Sequence, residues 1–144
     1  MKRTKEQGFT LVEIIVVIII IGVLASLALP RLFKTIEFSR SAEALNSIGV
    51  IRESVTRCGL LNNGNITACN LSGATNSLDI ENPGTQVGSH FTYVLSRTDN
   101  VNAFFLITAT RNTLNGGNGA DIIRLTVNAN GISRTGTGAF AGIR

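Results

Sequence analysis

Residues 6–30 read EQGFTLVEIIVVIIIIGVLASLALP, and the fold turns on this stretch. Between Phe9 and Leu29 the clear breaks in an apolar run are Thr10, Glu13, Gly22 and Ser26. The run has the roughly 20 residues that a membrane-spanning helix needs. Three readings compete. A cleavable secretory signal has a shorter apolar core and an A-x-A-like site behind it. "ASLALPRLF" offers small residues, but Pro30 and the helical pattern after it suit continuation better. A buried core helix would need more chain around it than 144 residues supply. A retained membrane helix fits best, its N-terminus held in the cytoplasm by Lys2, Arg3 and Lys5.

Beyond Pro30 the pattern becomes amphipathic. Phe38, Ala42, Leu45, Ile48, Ile51 and Val55 recur at three- and four-residue steps and share one helix face. Glu37, Arg40, Glu43, Arg52, Glu53 and Arg57 point elsewhere, and Glu53 and Arg57 have the spacing of an i,i+4 ion pair. Gly59 reads as the helix stop. A helix over residues 9–58 would be ~75 Å long at 1.5 Å per residue. Gly22 and Pro30 are its weak points, where it can kink or melt.

Residues 59–89 form a connecting loop rich in Asn, Gly, Ser and Thr, with Pro83-Gly84 as a turn. Strands follow. "HFTYVLS" at 90–96 puts Phe91, Tyr93 and Leu95 on one face; "AFFLITAT" at 103–110 is β-rich; "DIIRLTVN" at 121–128 sets Ile123, Leu125 and Val127 opposite Arg124 and Thr126. "NANG" at 128–131 turns into a short fourth strand, "ISRT". The expected class is α+β. A long N-terminal helix packs its second half against a small antiparallel sheet of three to four strands, which needs a cover on its open face.

Formal net charge is +4 and the pI about 9.7, but half of that charge sits in the first eight residues. From Cys58 onward five arginines face four acids, so nucleic-acid binding is not indicated. Cys58 and Cys69 are close in sequence. In an oxidising compartment they pair, and if the first segment enters a membrane the remainder is exported to one. His90 is the single histidine, so two cysteines and a distant imidazole fall short of a zinc site. Asp121 among amides is thin coordination for calcium. "NIT" at Asn65 and "NLS" at Asn70 match glycosylation sequons in form only. No metal, no cofactor and no catalytic constellation is expected.

"KEQGFTLVE" resembles the processing site of type IV pilins and of type II secretion pseudopilins. The resemblance rests on the short basic leader, Gly8, Phe9, the run "FTLVE" and the apolar stretch behind it, with Pro30 where that family usually has proline. It is specific over the first third of the chain and weak beyond. It implies a leader at 1–8 that a prepilin peptidase cuts between Gly8 and Phe9, followed by N-methylation of Phe9. It implies a filament-core half at 9–29 that faces lipid first and identical helices later, and an outer globular domain at 30–144: helix to 58, loop 59–89, sheet 90–144. Glu13 would pair with the Phe9 amine of a neighbouring subunit and set register. An intramembrane carboxylate points to function by default. The implied partners are further copies in a helical filament, the peptidase, an assembly ATPase and an inner-membrane platform protein.

The leading expectation is a pilus subunit for adhesion, motility or DNA uptake. A secretion pseudopilin is the alternative, lowered because "SRTGTGAFAGIR" lacks an acidic calcium loop. A non-polymerising single-span protein with a partner-binding periplasmic domain is a further class.

Overall fold

A computed structural model of the chain describes residues 8–72, 77–97 and 105–143. It divides into two compact units, Met1–Ile36 and Glu37–Arg144. Helix α1, Leu11–Leu61, runs through both. In the first unit every residue of α1 is exposed. Its sequence is rich in Ile and Val, residues that are only fair helix formers in water. Helix α1 continues through Gly22 and Pro30, although Pro30 has no N–H for the carbonyl one turn before it.

The second unit is a four-stranded antiparallel sheet covered by the C-terminal part of α1. The strands are β1 (Phe91–Arg97), β2 (Phe105–Arg111), β3 (Ile122–Asn128) and β4 (Gly131–Gly136), in spatial order β1-β2-β3-β4. Registers run Phe91 opposite Arg111, Ile107 opposite Leu125, and Val127 opposite Ile132. Phe91, Tyr93, Phe105, Ile107, Ala109, Ile123 and Leu125 fill the helix-facing side. The α+β architecture expected from the sequence is what the chain adopts.

The helix face differs from the expected stripe. Ile48, Ile51 and Val55 are buried as expected, but Phe38 and Ala42 are exposed, and Leu45 is only partly buried. Ser41, Ala44 and Ser54 take the buried positions instead. Small side chains let the sheet approach closely, and both serines satisfy their hydroxyls. Ser41 donates to the Phe38 carbonyl and Ser54 to Asp79.

Gly59 is not the stop. Helix α1 ends two residues later, and its last carbonyls are met by the Asn62 side chain on Cys58 and by the Gly64 N–H on Gly59, 2.8 and 2.7 Å. Asn63 and Gly64 supply the left-handed backbone (φ 56° and 86°) that closes such an end. Gly59 itself is buried; a Cβ there would meet Ile66 at 3.0 Å. Close packing, not chain reversal, explains that glycine.

The polar residues of α1 are also placed differently from expectation. Arg57 pairs with Asp79 rather than Glu53, through Nε and Nη2 at 2.8 and 3.0 Å. Glu43 lies 2.9 Å from His90 Nδ1. Glu37 reaches Arg111, a guanidinium only 1% exposed at the end of β2. Arg111 donates to both Glu37 oxygens, at 3.0 and 3.3 Å, and to the carbonyls of His90, Asn112 and Leu114 at 3.1 Å. It also lies 5.9 Å above the Phe91 ring. A buried charge is tolerable only when its donors are met this fully.

Two closures finish the unit. Cys58, in the last turn of α1, is joined to Cys69, just past the 3-10 turn Ile66–Ala68. At the C-terminus the turn Gly138–Phe140 inserts Phe140, fully buried, 5.6 Å from Phe91. The Asp121 carboxylate accepts the Ala139 N–H at 3.0 Å, a local structural task.

Candidate processing and assembly site

The segment that carries the expected chemistry is the start of α1. Residues 1–7, with the basic leader, lie outside the described residues. Gly8, Phe9 and Thr10 are exposed and not helical, and Phe9 is 83% exposed. A Cβ on Gly8 would meet nothing within 4 Å. Packing among the described residues therefore does not demand glycine there.

Helix α1 begins at Leu11 because Thr10 and Glu13 cap it reciprocally. The Glu13 N–H donates to Thr10 Oγ1 at 3.3 Å. Glu13 Oε2 accepts the Thr10 N–H and the Thr10 hydroxyl, both at 2.8 Å. This is a capping box, and "TLVE" just ahead of an apolar run is its sequence signature. Glu13 thus has a local structural task that its charge in an apolar run does not reveal. All three bonds leave Glu13 Oε1 without a hydrogen bond among the described residues.

Behind the box, eighteen large apolar side chains from Phe9 to Ile36 are exposed. Fully burying one such side chain from a fully exposed state is worth roughly 1.5–3 kcal/mol, so each of these would gain part of that on leaving water. By length and composition α1 can cross a membrane. Ser26, a polar residue in the run, is satisfied by the Val23 carbonyl at 2.7 Å. Gly22, like Gly8, has open space where a Cβ would stand. A helical glycine costs about 1 kcal/mol relative to alanine, and no contact among the described residues offsets that. Phe9 lies two residues ahead of α1 and Glu13 in its first turn, with Gly22 and Pro30 further along; Cys58 and Cys69 belong to the second unit.

Comparison with known proteins points to the same segment. A family model described as "Prokaryotic N-terminal methylation motif" matches residues 3–29. The chain is 36% identical over 63 residues to type II secretion system core protein G of Aeromonas hydrophila, covering 44% of each chain. It is 32% identical over 90 residues to the type IV major fimbrial protein FimA of Dichelobacter nodosus, covering 58% of this chain and 56% of the relative. Core protein G of Escherichia coli K12 is 45% identical over 51 residues, 35% of each. The chain thus spans about half the length of the first two of these relatives. No solved structure matches significantly.

Proposed function

This chain belongs to the type IV pilin and type II secretion pseudopilin family, and from that membership we propose that it is a non-enzymatic structural subunit of a type IV pilus-like filament serving adhesion, motility or DNA uptake. On this reading prepilin peptidase removes residues 1–8 and Phe9 is N-methylated. Residues 9–29 cross the inner membrane, with the leader on the cytoplasmic side, and then form the filament core. Residues 30–144 face outward. An assembly ATPase and a platform protein drive the transfer.

The observation that carries this reading is the exposed apolar surface of α1 directly behind the Gly8–Phe9 bond, interrupted near its start by one carboxylate. Lipid and a bundle of identical helices are both apolar, so exchanging one for the other is inexpensive, and helix packing offsets the remainder. Gly22 offers close approach in such a bundle and, with Pro30, a place for α1 to melt. Cleavage frees an amine on Phe9 that is protonated at neutral pH. The Oε1 side of Glu13 can accept that amine from a neighbouring copy while Oε2 keeps the cap, and the pair fixes axial register.

Mass spectrometry of native chain should find a mature N-terminus at methylated Phe9. Glu13→Gln should leave insertion and cleavage near normal while surface filaments drop tenfold or more, an estimate of order from the cost of unpaired charge in hydrocarbon, ~2–3 kcal/mol. A native chain that still begins at Met1 would overturn the reading.

Similarity to core protein G relatives favours a second reading, a pseudopilin of a type II secretion system. Deleting the gene separates the two: loss of surface fibres supports the pilus, and retained fibres with lost exoprotein release support the pseudopilus.

A further inference from the structure

Most arginines of the second unit have an acceptor. Arg40 and Arg111 meet Glu37, Arg57 meets Asp79, and Arg97 donates to the Thr67 carbonyl. Arg124 stands on the outer face of the sheet, opposite Thr108 and Thr135. Arg52 and Arg134 are placed differently from all of these. They come from different elements, α1 and β4, and line one recess of about 80 Å³. Neither has a carboxylate partner among the described residues, and no acid lines the recess.

The sequence builds this recess in two steps. Leu45, Ile48, Gly49 and Arg52 follow one another at three- and four-residue steps, so they form one stripe of α1. Arg134 sits directly opposite Leu125, a core residue 2% exposed, and directly opposed residues share a face of the sheet. Arg134 therefore lies on the helix side, and it is exposed because β4 is the edge strand. Leu45, Ile48 and Leu125 give the recess apolar walls. Gly49 keeps it open, since a Cβ there would meet nothing within 4 Å. Glu53, one residue on and about 100° further round the helix, lines the neighbouring groove with Arg57 and not this recess.

We infer that the recess binds a phosphate group, free or at the end of a small molecule, between Arg52 and Arg134. Two cations facing one hollow repel each other, and an anion between them turns that repulsion into attraction. The apolar walls lower the local dielectric and strengthen it. One planar guanidinium fork satisfies a planar carboxylate, whereas a tetrahedral phosphate accepts from two forks that approach from different directions. A phosphate ester carries about −1.5 to −2 charges near neutral pH, which matches the two guanidiniums. The bound group would join α1 to β4, the strand whose side chains are the most exposed of the sheet. This site goes beyond the filament reading and does not depend on it.

A phosphate titration followed by NMR tests it, on the full chain in an uncharged maltoside detergent, with chloride exchanged for inorganic phosphate at constant ionic strength. The Nε–H signals of Arg52 and Arg134, assigned by their loss in R52K and R134K, should shift together and saturate below about 30 mM, as a millimolar Kd requires. R52Q should weaken the affinity read at Arg134 about tenfold, and R134Q that read at Arg52, the loss expected for one charge-assisted pair. R124Q, on the other face, should leave both within about twofold. Gly49→Leu fills the recess with a better helix former and should abolish the saturable shift. Shifts that grow linearly without saturating mean an adventitious ion only and overturn the inference. An affinity unchanged in R52Q or R134Q overturns it too, as does full binding by a folded G49L chain. Glycerol 3-phosphate then names the source: competition at the same two signals supports a small phosphate ester, and binding of inorganic phosphate alone supports the free ion.

Discussion

Arg111 shows what one residue can demand of a fold. Its guanidinium is buried at the end of β2, satisfied by Glu37 and three carbonyls. Removing one partner of such a pair strands the other charge and its acceptors. Arg111→Ala should therefore destabilise the second unit by about 3–5 kcal/mol, read from the urea midpoint of the detergent-solubilised chain. The same chemistry sets the acid limit. Arg111 holds the Glu37 carboxyl below its ordinary range, and Arg57, with Ser54, holds Asp79 down at about 2. A depressed carboxylate gives its full stabilisation above the unfolded value, near 4, and loses it as pH falls through the folded one. Asp79→Asn should accordingly flatten the stability profile between pH about 4 and 2; an unchanged profile would clear Asp79 of this role. Arg111 was legible in principle, since 105, 107, 109 and 111 alternate onto the core side. Glu37 was not, because a carboxylate on an amphipathic helix normally faces water. Glu13 was legible as an acid near the start of an apolar run, and its capping bonds with Thr10 have a sequence signature of their own in TLVE.

Among the elements, strand positions were readable to within one or two residues, because β1 and β3 alternate cleanly and Asn128 to Gly131 form a tight turn. The buried side of α1 was read less well. Hydrophobic periodicity weights Phe38 and Ala42 over Ser41 and Ser54, whereas close approach of the sheet selects for small volume. The end of α1 was missed for a related reason: Gly59 is a packing glycine, and the reversal belongs to Asn63 and Gly64. The Cys58–Cys69 link fastens that reversal to the helix. It spans 11 positions, and closing a loop of about that size stabilises by about 3 kcal/mol in the chain-entropy model. Cys58→Ser with Cys69→Ser should lose about that much in the same urea assay, and a loss under 1 kcal/mol would place the stability of the helix end in its backbone caps.

At the scale of the whole molecule, the described residues of the first unit include no buried side chain, and their apolar surface lies open. That much was legible, since an apolar run this long with so few breaks has few physical interpretations. The exposure of Ile132 and Val87 was not, because it depends on which strand lies at the edge and how the preceding loop folds. Gly22 belongs at this scale too, since a Cβ there meets nothing within the chain. If its role is close helix approach between copies, Gly22→Leu should preserve membrane insertion and leader removal yet cut filament yield about tenfold; equal yield would return Gly22 to a tolerated small residue.

The covalent link at the far end of α1 also keeps time. Thiols stay reduced in the cytosol and close beyond it, so if the second unit is exported as proposed, an open Cys58–Cys69 pair would mark a newly made chain and a closed one a chain whose second unit has crossed. A brief pulse of alkylating reagent would tag the first population and spare the second. The ratio of the two would clock translocation separately from polymerisation, without any engineered reporter.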